Sequence, residues 1–351
     1  MGKKVKVLLL TVGSLLLTAS IVLTTLFFVF DYKPKGKVVI DNWSNSQEYT
    51  EKYVSFVEKN PNKDFTILNL ADIQLSDFEP AGTSKKMKKM IKELIDRTNP
   101  DLITLTGDNI WTNHSKNALA KEVKWFEEFK IPWAPVFGNH DGEGTASIEY
   151  QCDVFEKADY CLFKRGPSNI GSLGNYVVNI KENGVTKNSL YMLNLGYVDD
   201  FSKEQIEFVK WNAEGTKNTN NGTYVPSLAF FHQAIDAYNS AYYFHKNEAL
   251  TDIYRSFYIA DPGVGDDFFD LAKSINIKDI ICGHQHGNAG TIPFEGVNLT
   301  FSLKTGDMCS IYEDKNNPNA FIVGATSLVL KESGTEYKLN FVDESYRIKT
   351  K

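Results

Sequence analysis

The stretch Ile281–Gly290 reads ICGHQHGNAG and places His284 and His286 one residue apart, straight after an apolar run, in a chain with six histidines. The same arrangement recurs elsewhere. Apolar runs end in Asp72 and Gln74, in Gly107 and Asp108, in Gly138, Asn139, His140 and Asp141, and in His232. Singly, each has an ordinary explanation, because Asp after a strand forms turns and His there is commonly solvated or hydrogen-bonded. Together, five strand ends carrying imidazole, carboxylate or side-chain amide share one chemistry. These donors suit zinc, manganese or iron, and a carboxylate such as Asp108 can bridge two ions ~3.5–4 Å apart. Two histidines one residue apart need not share an ion, since a chain leaving its strand can present them to neighbouring ones.

The elements that must position these groups follow from hydrophobic spacing. FTILNL, DLITLT, WAPVF, YVPSLAFFH and KDIICGHQH read as buried strands. Between them, TSKKMKKMIKELIDRT carries Met87, Met90, Ile91, Leu94 and Ile95 at helical spacing, and NALAKEVKWFEEF, SKEQIEFVKWNAEG and GDDFFDLAKSIN also read as helices. NYVVNI and SLYMLNL, joined at KENG, read as a hairpin; NLTFSL, AFIVGATSLVL, EYKLNFV and SYRIK read as further strands. Near-continuous apolar strands alternating with helices imply an α/β sheet covered by helices, with functional groups gathered at the strand ends. No internal repeat or low-complexity segment divides the chain.

The N-terminus differs. Lys3, Lys4 and Lys6 precede the uncharged run Val7–Phe30, closed by Asp31. At ~1.5 Å rise per residue this run exceeds the ~30 Å of a hydrocarbon core, so residues 1–30 are expected to form a signal anchor or transmembrane helix. The alternative is a cleaved secretory signal, with Thr18, Ala19 and Ser20 as the small residues, although apolar sequence continues well beyond them. Lys33, Lys35 and Lys37 nearly balance the N-terminal lysines, which leaves the charge signal for orientation weak; the expectation leans towards an extracytoplasmic domain. Residues 31–60, rich in Asn, Ser, Lys and Glu, read as a polar tether, and 61–345 as the globular domain. A net charge of −6 with interspersed signs argues against nucleic acid binding. Cys152, Cys161, Cys282 and Cys309 lack zinc-finger spacing; Cys152 and Cys161 could close a short disulfide loop in an exported domain or remain free thiols.

The order D-x-[H/Q], GD, GNHD, a lone His and GHxH resembles the calcineurin-like metallophosphoesterase family, from about Lys63 to Val342. CLFKRGPSNIGSLGNYVV, SKEQIEFVKW and GVGDDFFDLAKSINIKDIICGHQH are similar to the branch containing purple acid phosphatase-like and Dcr2-type phosphatases. The resemblance implies a four-layer αββα sandwich of two mixed β-sheets flanked by helices, here preceded by one transmembrane helix. It further implies hydrolysis of phosphomonoesters or phosphodiesters by attack of a dimetal-bound hydroxide. Asp72, Gln74, Asp108 and His286 would hold the first ion, and Asp108, Asn139, His232 and His284 the second. His140 would steady the phosphoryl group or protonate the leaving oxygen. Gln74 stands where most members have His, and its neutral amide oxygen is the weaker ligand. A catalytically silent module that binds phosphorylated ligands on the same fold is the rival reading. His114 and His245 read as surface residues, and Asp141 as orienting His140 or capping its loop.

Overall fold

The computed structural model describes residues 2–31, 35–76, 83–196, 200–245, 263–306, 313–314, 317–321 and 323–342. The apolar N-terminal run forms one helix, α1 (Lys3–Asp31), with Leu15, Leu16 and Leu23 exposed. Within it Lys4–Leu23 is long and apolar enough to cross a membrane, and none of this span is buried against the protein. It is a candidate membrane span by length and composition.

The chain then runs through β1 (Val54–Glu58), β2 (Phe65–Leu70), α2 (Thr83–Thr98), β3 (Leu102–Thr106), α3 (Ser115–Phe129), β4 (Trp133–Val136) and α4 (Ile148–Phe155). A hairpin, β5 (Tyr176–Glu182) and β6 (Val185–Met192), leads to α5 (Lys203–Thr219), β7 (Ser227–Phe230), α6 (Ala237–Phe244), α7 (Asp266–Ser274) and β8 (Ile277–Cys282). The remaining strands are β9 (Gly290–Phe294), β10 (Val297–Phe301), β11 (Glu313–Asp314), β12 (Asn317–Phe321), β13 (Gly324–Lys331) and β14 (Gly334–Phe341). SYRIK lies outside the described residues.

Two mixed sheets result, in the orders β14-β13-β2-β3-β4 and β1-β5-β6-β7-β8-β10-β9. The alternation of side chains along each strand shows how they stack. Val178, Leu228, Phe230 and Ile281 of the larger sheet share one cluster with Leu68, Leu70, Ile103 and Leu105 of the smaller sheet and with Ile91, Leu94, Leu119 and Phe126 of α2 and α3. Val177, Ala229, Ile280 and Cys282 turn the other way, onto Val209, Tyr238 and Phe268 of α5, α6 and α7. Helices therefore cover both outer faces, giving the mixed α/β two-sheet architecture.

β2, β3 and β4 are mutually parallel, as are β6, β7, β8 and β10. The strand ends that carry polar residues thus collect along one edge. α5 starts at Ser202 with a capping box, Ser202 accepting from Gln205 N while Gln205 reaches back to Ser202 N.

The segment read as a polar tether is folded onto this body. Trp43 and Tyr53 are buried with Ile170, Phe208 and Trp211, and Trp43 meets Phe208 edge-on at 5.5 Å. β1 extends the larger sheet by pairing with β5. Polarity concealed this anchoring, because two aromatic residues supply it. Cys152, Cys161 and Cys282 are free thiols, with Cys152 buried in the core, so the alternative of a Cys152–Cys161 bridge is not adopted. Cys309 lies outside the described residues.

Candidate dimetal site

The strand-end residues meet where the two sheets' parallel strands terminate. Donor atoms of Asp108, His232 and His284 all lie within 4.8 Å of one another, and so do those of Asp72, Asp108 and His286. Asp108 belongs to both sets, the placement a bridging carboxylate needs. Asp72, Gln74, Asp108 and His284 adopt φ values of 52, 50, 49 and 62°, although none is glycine. Such conformations are costly and concentrate at functional sites. Here they bend the chain sharply off each strand, and backbone bonds from Asp72 N to Gly107 O (3.2 Å) and Gln74 N to Asp108 O (2.8 Å) hold the bends. A Cβ on Gly138 would sit 2.3 Å from Asp108 Oδ1, and one on Gly283 2.6 Å from Asp72 Oδ2. The glycines preceding Asn139 and His284 are therefore the room the carboxylates occupy.

Asp72 and Asp108 are buried, yet both are held below the usual carboxylate range. Burial pushes each up, but for Asp72 the His286 contact, His232 and Lys304 outweigh it, and for Asp108 His232 and the His140 backbone N–H do so. His232 Nδ1 donates to Thr106 O at 2.8 Å, which turns Nε2 toward Asp108 Oδ2, 3.3 Å away. Burial would lower the His232 pKa; the Asp108 and Asp72 carboxylates instead raise it to about 9. His284, with Nδ1 at 3.2 Å from His232 Nε2, is lowered to about 4 by burial and by that neighbouring charge.

This donor set fits metal ions. Two buried carboxylates, the buried His232 and the half-buried His284 and His286 converge on one place, and Asn139 Oδ1 is buried without a hydrogen-bond partner. An orphaned buried carbonyl is costly, and a cation would satisfy it.

Gln74 departs from expectation. Its Oε1 accepts from Lys304 Nζ at 2.8 Å, so Nε2 is the atom facing Asp108 Oδ2 and His286 Nε2, 3.4 Å from each. An amide NH₂ has no lone pair to offer a metal. Lys304, buried, also donates to Asp72 O at 2.9 Å. It went unread in the sequence although it follows β10, a strand end like the others.

His140 donates its backbone N–H to Asp108 Oδ1 at 2.9 Å and stands half-exposed over the cluster, Nε2 3.8 Å from Asp108 Oδ2. Its Nδ1 lies 2.9 Å from Glu143 Oε2, and its ring packs on Trp111 with centroids 4.6 Å apart. Asp141 caps the loop instead, accepting from Gly138 N (2.7 Å) and Ile110 N (3.0 Å). Burial first and Asp108 second raise Asp141 to about 7. Glu143 and Trp111, each three residues from a motif residue, were also missed. His245, at the end of α6, lies 2.8 Å from Pro293 O, so its imidazole engages β9.

Residues 65–288, which contain every group in both donor sets, match the calcineurin-like phosphoesterase family. The chain belongs to that family. Its members typically bind two metal ions, in keeping with the paired donor sets. The chain is 26% identical over 260 residues to phosphatase DCR2 of Saccharomyces cerevisiae, covering 64% of this chain and 44% of the yeast protein, so it spans less than half of that relative. It is 23% identical over 288 residues to a probable inactive purple acid phosphatase 14 of Arabidopsis thaliana, covering 69% and 70% of the two chains. The fold resembles a dimetal phosphatase from Danio rerio, with a TM-score of 0.51, 12% identity, and coverage of 80% of this chain and 97% of that one.

Proposed function

We propose that the chain is a membrane-tethered, two-metal phosphoesterase that hydrolyses phosphomonoesters or phosphodiesters outside the cytoplasm. The observation that carries this reading is the pair of donor sets joined through Asp108. Asp72, Asp108 and His286 would hold one ion; Asp108, Asn139, His232 and His284 would hold the other. Bound there, two ions would neutralise phosphoryl charge and activate water at neutral pH.

The chain's own groups do the rest. Thr106 O fixes the His232 tautomer, so Nε2 is the atom presented to the cluster. Trp111 packs on the His140 ring with the Glu143 carboxylate beside Nδ1, and the ring's position above Asp108 would let it carry a proton to the leaving oxygen. Gln74 acts as a neighbour tied to Lys304 rather than as a ligand.

The second reading, a silent phospho-ligand binder, is favoured by the word "inactive" in the name of a relative. Elemental analysis combined with hydrolysis of an aryl phosphate and a bis-aryl phosphate decides between them. Two ions bound and no hydrolysis of either ester would establish the binder and sink the enzyme. The tethering rests on the exposed apolar helix α1 and is tested by adding protease to intact cells, where an extracytoplasmic domain is degraded.

A further inference from the structure

We propose that residues 35–41, which follow the apolar helix, form with Lys157 and Lys164 a surface that docks on an anionic lipid bilayer and holds the domain against it in one orientation. The proposal rests on the tethering reading and adds a second membrane contact to it.

The connection is too short to let the domain drift. α1 ends at Asp31, and the chain is fixed to the domain from Gly36 onward. Gly36 N donates to Ser147 Oγ at 3.4 Å, Lys37 N to Asp153 Oδ2 at 2.7 Å, Arg165 Nη1 to Lys37 O at 3.1 Å and Asp41 N to Ser168 Oγ at 2.9 Å. A Cβ on Gly36 would lie 2.1 Å from Glu149 C, so backbone runs directly against backbone there. Fully extended, the chain from Asp31 to Gly36 spans at most ~18 Å. With the uncharged run up to Phe30 in the hydrocarbon, the headgroup layer takes ~5–8 Å of that span. Gly36 therefore stands at most ~10–13 Å above the headgroups, on the order of one Debye length, where surface charges still attract.

What this segment shows to solvent is apolar and basic. Val38 is 76% exposed and Ile40 77%, the two most exposed large apolar side chains among the described residues. Beside them Lys37, Lys52, Lys157, Lys164 and Arg165 line a groove of about 460 Å³ together with Asp41, Asp153 and Glu156. The three carboxylates are taken up within the protein, since Arg165 holds Asp153 and Glu156 while Lys52 holds Asp41. Lys157 is near enough to Asp153 to feel its charge. Among the described residues, however, neither it nor Lys37 nor Lys164 forms an ion pair. The groove thus carries five cations against three anions, and adding Lys35 on the segment and Glu149 beneath it leaves that excess of two unchanged.

Exposed aliphatic side chains flanked by lysines suit the boundary where acyl chains meet anionic headgroups. Lysine stems lie along apolar surface there while their ammonium groups reach the phosphates. A folded protein partner, ~30 Å across, does not fit in the gap that the short connection leaves between Gly36 and the bilayer. The contact requires anionic headgroups in the leaflet that the domain faces.

The test reads hydrogen exchange by mass spectrometry at Val38, Val39 and Ile40, whose amides donate to no protein acceptor among the described residues. Full-length protein is placed in nanodiscs of phosphatidylcholine alone and of phosphatidylcholine with an equal part of phosphatidylglycerol. Exchange should slow by about tenfold or more in the anionic discs relative to the neutral ones, and the difference should vanish near ~1 M salt, where screening shortens to ~3 Å. A lysine at an anionic surface contributes about fivefold in association, so losing three removes about 100-fold. Lys37→Gln with Lys157→Gln and Lys164→Gln should therefore abolish the slowing, and so, separately, should Val38→Asp with Ile40→Asp, both at exposed positions. Equal exchange in the two discs, or slowing that survives in both sets of variants, overturns the proposal. Whether carbonate strips the protein from neutral vesicles reads the tether by itself. If it does, tethering fails, and exchange is measured with phosphatidylglycerol vesicles in excess over the free chain; slowing there keeps the docking surface, and its absence overturns it.

Discussion

Replacing Lys304 by Met should tighten the first metal position. The Lys304 ammonium is buried and holds Gln74 Oε1 at 2.8 Å, turning the amide nitrogen toward Asp108 and His286. A hydrogen bond to a charged group contributes ~1.5–3 kcal/mol, and an amide that rotates its oxygen onto an ion must give that up. At 1.4 kcal/mol per tenfold, removing the ammonium therefore gains about 10- to 100-fold in affinity at the Asp72–Asp108–His286 position. Gln74→Ala tests the same geometry from the other side. It should change that affinity by less than about threefold, because no lone pair is lost from the ions, but lower stability by ~1.5–3 kcal/mol as the ammonium loses an acceptor. Titration of metal-free protein with Mn²⁺, followed by electron paramagnetic resonance and checked by elemental analysis, resolves the two binding constants. A Gln74→Ala variant that loses tenfold or more at one position, together with a Lys304→Met variant that gains nothing, would refute the reasoning and restore Gln74 as a ligand.

Asp108→Asn should weaken both ions together and abolish hydrolysis, because Asp108 is common to both donor sets; stoichiometry beside kcat reads this. His140→Ala should keep both ions and lose turnover, and Glu143→Gln should reproduce a smaller part of that loss with a shifted pH profile, since Glu143 acts through the imidazole. In protein without ions, His232 holds its proton up to about pH 9, so metal must displace it, and apparent affinity at the His232 position should rise by about tenfold per pH unit between roughly 6.5 and 9. The sign for stability is opposite. A raised folded-state pKa stabilises fully below about 6.5 and is lost as pH climbs through about 9, so the unfolding temperature of the metal-free protein should decline across that window, as calorimetry would show.

Much of the frame is legible because it depends on periodicity. TSKKMKKMIKELIDRT is the whole of α2, and the runs FTILNL and DLITLT are β2 and β3 with at most one residue of difference. The elements that escape are those whose stabilisation is tertiary. α4 and α6, eight residues each, are too short to show a helical stripe and were not read from the sequence. β1 and β9 lie at the two edges of the larger sheet, where one missing neighbour allows a mixed polar pattern; Phe56 on β1 is partly exposed, and Pro293 is tolerated in β9. Trp43 and Tyr53 fold the supposed tether onto the domain through contacts with residues more than a hundred positions away.

The candidate site shows the same division at closer range. Which residue types reach the cluster follows from strand ends alone, since parallel strands finish along one edge and every group there was visible as a polar residue after an apolar run. Which atom each side chain presents does not follow. Gln74 looked like a ligand because an amide carries an oxygen, and only the position of Lys304, which enters on β10 from more than two hundred residues away, decides that this oxygen turns outward. Asp141 could have oriented His140 or capped its loop, and the bend that brings His140 N to Asp108 Oδ1 directs Asp141 back into the loop and leaves Glu143 beside the ring. In both cases a neighbouring charge sets the role of a residue whose type was readable. The strand-end rule, applied also to β10, would have put Lys304 beside the cluster; it could not have said that the lysine bonds the amide rather than a phosphate. That distinction is energetic. A buried ammonium needs acceptors, and Asp72 O and Gln74 Oε1 supply them within the protein, so Lys304 would act on bound ions through Gln74 rather than on the substrate directly.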